Sequence, residues 1–210
     1  MYNLIDRGFK WLLFLSALAV FIIHMINSNS IGNFLSLFQY YTIQSNALVL
    51  ILFSLLLLAD YNIIKKRTYL PQLAAIVTSL ILITGVLFHL FLAELFQPQG
   101  LSMIANFLEH TIVPFGTAIY FVFVYRDYAS RSKDIPLFLI YPGLYAGVSL
   151  VRGHFTGLYP YWFLNPVLPY PNGLGSYANL TLFIFAVMVV FMVFSFVLMK
   201  AYDFCTKRMK

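Results

Sequence analysis

Six apolar runs, at residues 9–26, 39–59, 70–96, 103–124, 135–151 and 176–199, constrain this chain more than anything else in it. Each is at or near the roughly 17–25 residues that a membrane-spanning helix needs. The connections between them carry the charge unevenly. Arg7 and Lys10 precede the first run, Lys65, Lys66 and Arg67 separate the second from the third, Arg126, Arg131 and Lys133 separate the fourth from the fifth, and Lys200, Lys207, Arg208 and Lys210 follow the sixth. Twelve of the thirteen Lys and Arg residues therefore fall on one side if all six runs cross. Positive loops mark the cytoplasmic face. The expectation is an all-α, polytopic six-transmembrane-helix bundle, N-in and C-in.

Composition excludes an ordinary soluble domain, because 61% of residues are hydrophobic and 10% charged, with mean hydropathy +0.85. Soluble domains average about 45–50% apolar and about 25% charged residues. The formal net charge of +6 then reports topology and contact with anionic lipid, and no nucleic-acid partner is expected. The first run is too long for the core of a secretory signal and ends in Ile-Asn-Ser-Asn-Ser without a small-x-small cleavage site, so it reads as a retained anchor. Cys205 is the single cysteine and allows no intrachain disulfide. With no internal repeat or low-complexity linker, residues 1–210 read as a single integral membrane domain.

Polar residues inside the runs are costly and point to function. The second run opens on Gln39-Tyr-Tyr-Thr-Ile-Gln-Ser-Asn46, where helical spacing puts Gln39, Thr42, Asn46 and Val49 on one face. The third run carries Thr78, Gly85 and His89, and the fourth Asn106, His110, Pro114 and Thr117. Pro114 cannot donate to the carbonyl of His110, so a kink is expected there. The fifth aligns Tyr141, Tyr145, Ser149 and Arg152, while the sixth is nearly all apolar and reads as a lipid-facing scaffold. All four histidines (His24, His89, His110 and His154), with Glu94, Glu109 and Arg152, fall toward the non-cytoplasmic side of the expected topology.

A threonine hydroxyl becomes a nucleophile when a base takes its proton, and histidine is the usual base. Thr42 and His110, at comparable depth on what read as neighbouring antiparallel helices, form such a pair. Gln39 or Asn46 would then serve the oxyanion, and His89, Tyr141 or Tyr145 would orient the base. Glu109 is not expected to join, since adjacent helical residues diverge by about 100°. Plainer readings exist for each residue. The Thr42 hydroxyl can bond backbone at a helix start, His89 and His110 can join helices, Arg152 can snorkel to the interface, and Tyr159 to Phe163 can form an aromatic belt.

Three segments, Tyr41-Thr-Ile-Gln-Ser-Asn46, His110-Thr-Ile-Val-Pro114 and Arg152-Gly-His-Phe-Thr-Gly-Leu-Tyr-Pro160 with Phe163-Leu-Asn-Pro166, resemble the bacterial branch of the androgen-induced membrane hydrolases. These are multi-spanning threonine hydrolases that cleave fatty acid esters of hydroxy fatty acids. The resemblance covers about residues 38–166. It implies Thr42 as nucleophile, His110 as the essential histidine, a fatty acyl ester as substrate, a bacterial plasma-membrane location and no cofactor. Arg152 would hold a carboxylate or head group. Two other classes stay open: a non-catalytic lipid-binding protein using the same pocket, and a metal or haem protein using histidines from separate helices. A channel or transporter is disfavoured by the apolar inner half.

Overall fold

The computed structural model describes residues 2–65, 68–128 and 135–208. Lys66, Arg67, Arg131, Lys133 and Lys210, used above to argue orientation, lie outside the described residues. The regular structure of the described residues is all helical: α1 Tyr2–Asn27, α2 Ile31–Ser36, α3 Tyr41–Asp60, α4 Leu70–Phe91, α5 Leu101–Val124, α6 Ile135–Thr156 and α7 Tyr177–Arg208. Five of these, α1, α3, α4, α5 and α7, are long and apolar enough to cross a membrane, which makes this an α-helical integral membrane protein. The remaining long helix, α6, has 22 residues, but Pro142, Gly143, two tyrosines and Arg152 dilute its apolar character.

Helix ends depart from the sequence expectation where propensity outlasts hydrophobicity. α1 begins at Tyr2 and α7 continues to Arg208, through polar residues that are good helix formers. α4 stops at Phe91, short of residue 96, in a stretch that leads to Gln97-Pro98-Gln99-Gly100.

Contacts divide the chain into two compact units. The first comprises Met1–Ser130 with Val197–Lys210, and the second Arg131–Phe196. Within the first, α3 packs between α1 and α4, and α5 closes the group against α1 and α4. Its core is apolar: Leu13, Ala17 and Val20 of α1, Val49, Leu52 and Phe53 of α3, and Leu80 and Ile81 of α4 are all at most 1% exposed. Apolar surface gains little by leaving lipid for another helix, so close packing and satisfied polar groups hold such bundles together. Thr78 and Thr84 accordingly bond the carbonyls of Ala74 and Leu80, one turn back on the same helix.

Direction follows from one ion pair and one hydrogen bond at one end. Lys10, early in α1, bonds Asp60 at the end of α3 at 2.7 Å, and Tyr120, near the end of α5, donates to Asp6 at 2.9 Å. α3 and α5 thus both run against α1 and parallel to one another. The antiparallel relation expected for the helices of Thr42 and His110 is corrected: alternate members of an up-and-down bundle point the same way.

The second unit is built on α6, the connection after it and the first part of α7. Tyr161 and Phe163 stack at 4.9 Å, and Phe163 lies 5.2 Å from Phe183. The Asn165 side chain accepts from the backbone of Val167 and Leu168, and its carbonyl accepts from Leu174. Together with a 3-10 turn at Trp162–Leu164, this fixes a proline-rich loop.

Candidate active site

The end of the first unit opposite Lys10 carries Thr42 and His110. The chain reaches α3 through a short 3-10 turn, Leu37–Gln39, and an extended Tyr40 that caps the helix without a side-chain hydrogen bond. The Gln44 amide reaches back to the Phe38 carbonyl at 2.6 Å and holds this entry. Thr42 is the second residue of α3, half-buried, in the first turn of the helix.

His110 arrives from α5 on a π turn, Leu108–Ile112, which Val113 separates from Pro114. Pro114 has no N–H for the His110 carbonyl, and Val113 instead bonds Leu108 five residues back. The expected disturbance at Pro114 therefore takes the form of a widened turn. Gly85 of α4 lies against it, and a Cβ there would sit 2.8 Å from Pro114 Cβ and 2.9 Å from the His110 carbonyl oxygen. The Phe88 ring stacks on the His110 imidazole at 3.6 Å and 14°.

The imidazole is thereby oriented on three sides. Its Nδ1 lies 3.1 Å from the carbonyl oxygen of Asn106, which can only accept, so the proton sits on Nδ1. Its Nε2 then carries a lone pair and faces Thr42 Oγ1 at 3.3 Å. His110 is 6% exposed. A hydroxyl, an acceptor nitrogen and a backbone carbonyl that fixes the tautomer are the parts of a general-base pair.

Asn46 is fully buried one turn below Thr42, and its Nδ2 donates to the Thr42 carbonyl at 2.9 Å and to the Glu109 carbonyl at 3.2 Å. One amide hydrogen is therefore engaged within α3 and the other joins α3 to α5. In this arrangement Asn46 offers no donor to an oxyanion, because these two carbonyls take both of its amide hydrogens. Its Oδ1 is buried without a hydrogen-bond partner in the protein. Ser45 and Thr84 hydroxyls meet at 2.8 Å, with Ser45 also 3.0 Å from the Thr42 carbonyl, and so tie α3 to α4 beside the pair.

The other expected residues are distributed as follows. Gln39 lies in the 3-10 turn outside α3, half-buried. His89 is exposed, and its Nε2 meets Thr111 Oγ1 at 3.1 Å; Asn106 and Phe88, not His89, contact the His110 ring. Tyr141, Tyr145 and Arg152 lie on α6 in the second unit. Sequence reasoning left out the Glu109 side chain, 6% exposed, whose Oε2 lies 2.8 Å from His24 Nε2. The signal was present, since a carboxylate inside an apolar run requires a partner. Among the described residues, no group of three or more His, Cys, Asp or Glu side chains is arranged to hold a metal ion.

In comparisons with known proteins, the chain matches no family model, no curated protein and no solved structure.

Proposed function

We propose that this protein is a membrane-embedded lipid-ester hydrolase with Thr42 as nucleophile and His110 as general base. The observation that carries the reading is the 3.3 Å approach of His110 Nε2 to Thr42 Oγ1 with Nδ1 committed to the Asn106 carbonyl. That arrangement leaves the basic nitrogen on the threonine side.

In the first step Thr42 Oγ1 attacks the ester carbonyl carbon as its proton passes to His110 Nε2. The oxyanion forms beside the amino end of α3, where the helix dipole favours negative charge. Collapse breaks the C–O bond to the alcohol, which leaves with the proton from His110. Water, deprotonated by His110, then attacks the acyl-threonine and releases the fatty acid. The substrate is a fatty acyl ester, such as a fatty acid ester of a hydroxy fatty acid, in keeping with the motif resemblance at Thr42 and His110.

The topology that goes with this reading is six spans with α6 included, N-in and C-in, in a bacterial plasma membrane. Arg7, Lys10, Lys65 and Arg126 belong to the end of the first unit away from Thr42, which supports a site in the non-cytoplasmic half.

The test is intact mass spectrometry of purified protein exposed to a long-chain fluorophosphonate, followed by peptide mapping. One adduct on Thr42 is expected, absent in Thr42→Ala and slowed about 10²–10⁴-fold in His110→Ala. A folded wild type that takes no adduct would overturn the reading in favour of a non-catalytic lipid-binding protein.

A further inference from the structure

The mechanism above does not use Glu109, although its carboxylate is buried beside the reacting pair. Adjacent residues of a regular helix point about 100° apart. In the π turn Leu108–Ile112 the glutamate side chain nevertheless folds back so that Oε1 lies 3.8 Å from His110 Nδ1. At that distance it makes no hydrogen bond. It does place a full negative charge against the imidazole edge that already donates to Asn106. The other carboxylate oxygen, Oε2, accepts from His24 Nε2 of α1 at 2.8 Å, where both side chains are largely shielded, with 21% and 7% of the His24 and Glu109 side chains exposed.

We infer that Glu109, held by His24, is a positioning residue that favours the imidazolium formed on His110 when Thr42 gives up its proton. This rests on the hydrolase reading. The neutral resting His110 gains little from a nearby carboxylate. The cation present in the transition state gains much more, because the surroundings are poorly screened. The arrangement differs from a Ser-His-Asp triad, in which the carboxylate itself takes the Nδ1 hydrogen. Here a backbone carbonyl fixes the tautomer and the carboxylate supplies charge from the side. His24 has the second role, since its N–H pins the carboxylate in one rotamer within reach of His110.

The alternative is a purely structural tie between α1 and α5. Such a tie would affect folding and reagent binding and leave the proton-transfer step alone. The experiment measures fluorophosphonate modification of Thr42 in the full-length protein in detergent, with maximal rate and half-saturating concentration separated, and unfolding temperature alongside. Glu109→Gln, which keeps size and loses charge, is expected to slow the maximal rate about 10–100-fold at unchanged half-saturation, the range typical when a residue supporting a functional histidine is lost. His24→Gln, which keeps an N–H, is expected to lose less than His24→Leu. The Glu109→Gln, His24→Leu pair should be no slower than Glu109→Gln alone.

Equal maximal rates in wild type and Glu109→Gln would overturn this inference and leave the hydrolase reading standing. An absence of Thr42 modification in the wild type would overturn both. Should Glu109→Gln fail to fold, His24→Gln and His24→Leu decide the matter by the same rates, since a structural tie would give both the wild-type maximal rate.

Discussion

His110 Nδ1 donates to the carbonyl oxygen of Asn106, one helical turn earlier, at 3.1 Å. This bond determines which imidazole nitrogen is basic, because a carbonyl accepts and never donates. The expected ¹⁵N spectrum of histidine-labelled protein in the neutral form therefore shows His110 protonated on Nδ1. Thr42→Ala should leave that tautomer unchanged, since Asn106 and not Thr42 fixes it. A proton on Nε2 instead would remove His110 as acceptor for the threonine hydrogen.

Gly85 is where α4 comes closest to the π turn of α5. An added methyl would meet Pro114 Cβ at 2.8 Å and the His110 carbonyl at 2.9 Å, and neither neighbour is the end of a flexible chain. Gly85→Ala is expected to lower stability by about 1–3 kcal/mol through overpacking. It should also slow Thr42 modification, because relief of the clash moves the His110 backbone. Gly147 of α6 has nothing within 4 Å of its Cβ position, so Gly147→Ala should leave both quantities within error of wild type or slightly raise stability. Unfolding curves in detergent and labelling rates on the two variants check this.

Thr42, Asn46 and His110 were legible in the sequence because each is a hydrogen-bonding side chain in an apolar run, and the helical period puts them on inward stripes. Their approach could be anticipated, and so could the disturbance at Pro114. The route of the bonds could not. Whether the Asn46 amide turns to substrate or to two carbonyls depends on how far α5 stands from α3, and that distance is set by packing at Gly85, Phe88 and Ser45. Glu109 was set aside by an argument that holds for a regular α-helix, and the π turn made its premise inapplicable. The parallel relation of α3 and α5 was available from simple counting of spans. The membrane character followed from hydropathy alone, whereas Pro142 and Gly143 dilute the apolar character of α6.

Lys10 is 5% exposed and lies between Asp6 at 2.6 Å and Asp60 at 2.7 Å, with Tyr120 donating to the far oxygen of Asp6. Replacing it with Met leaves two carboxylates in a poorly solvated place without their cation. The expected loss of stability is at most about 3–5 kcal/mol, the range for breaking a buried pair, reduced because Asp6 and Asp60 side chains are 19% and 24% exposed. Removing both acids as well, with Asp6→Asn and Asp60→Asn added to Lys10→Met, should recover part of that loss. Thermal unfolding of the single and triple variants in one detergent checks it. A triple variant less stable than Lys10→Met would show that the aspartates have other essential partners.

Asn46 joins the start of α3 to the π turn of α5 through the Thr42 and Glu109 carbonyls. Asn46→Ala removes both donors, leaves the Thr42 carbonyl with Ser45 and takes this donor from the Glu109 carbonyl, with an expected cost of about 1–3 kcal/mol. Asn46→Asp is nearly the same shape, yet it points a carboxylate oxygen at those carbonyls where a donor belongs. The ordering expected is therefore wild type above Asn46→Ala above Asn46→Asp, both in unfolding midpoint and in Thr42 modification rate. A volume effect alone would reverse the two variants, because aspartate fills the site and alanine does not. If instead the amide served an oxyanion, Asn46→Ala would lose reactivity with its unfolding midpoint intact, so the pair of readouts separates a helix-joining role from a catalytic one.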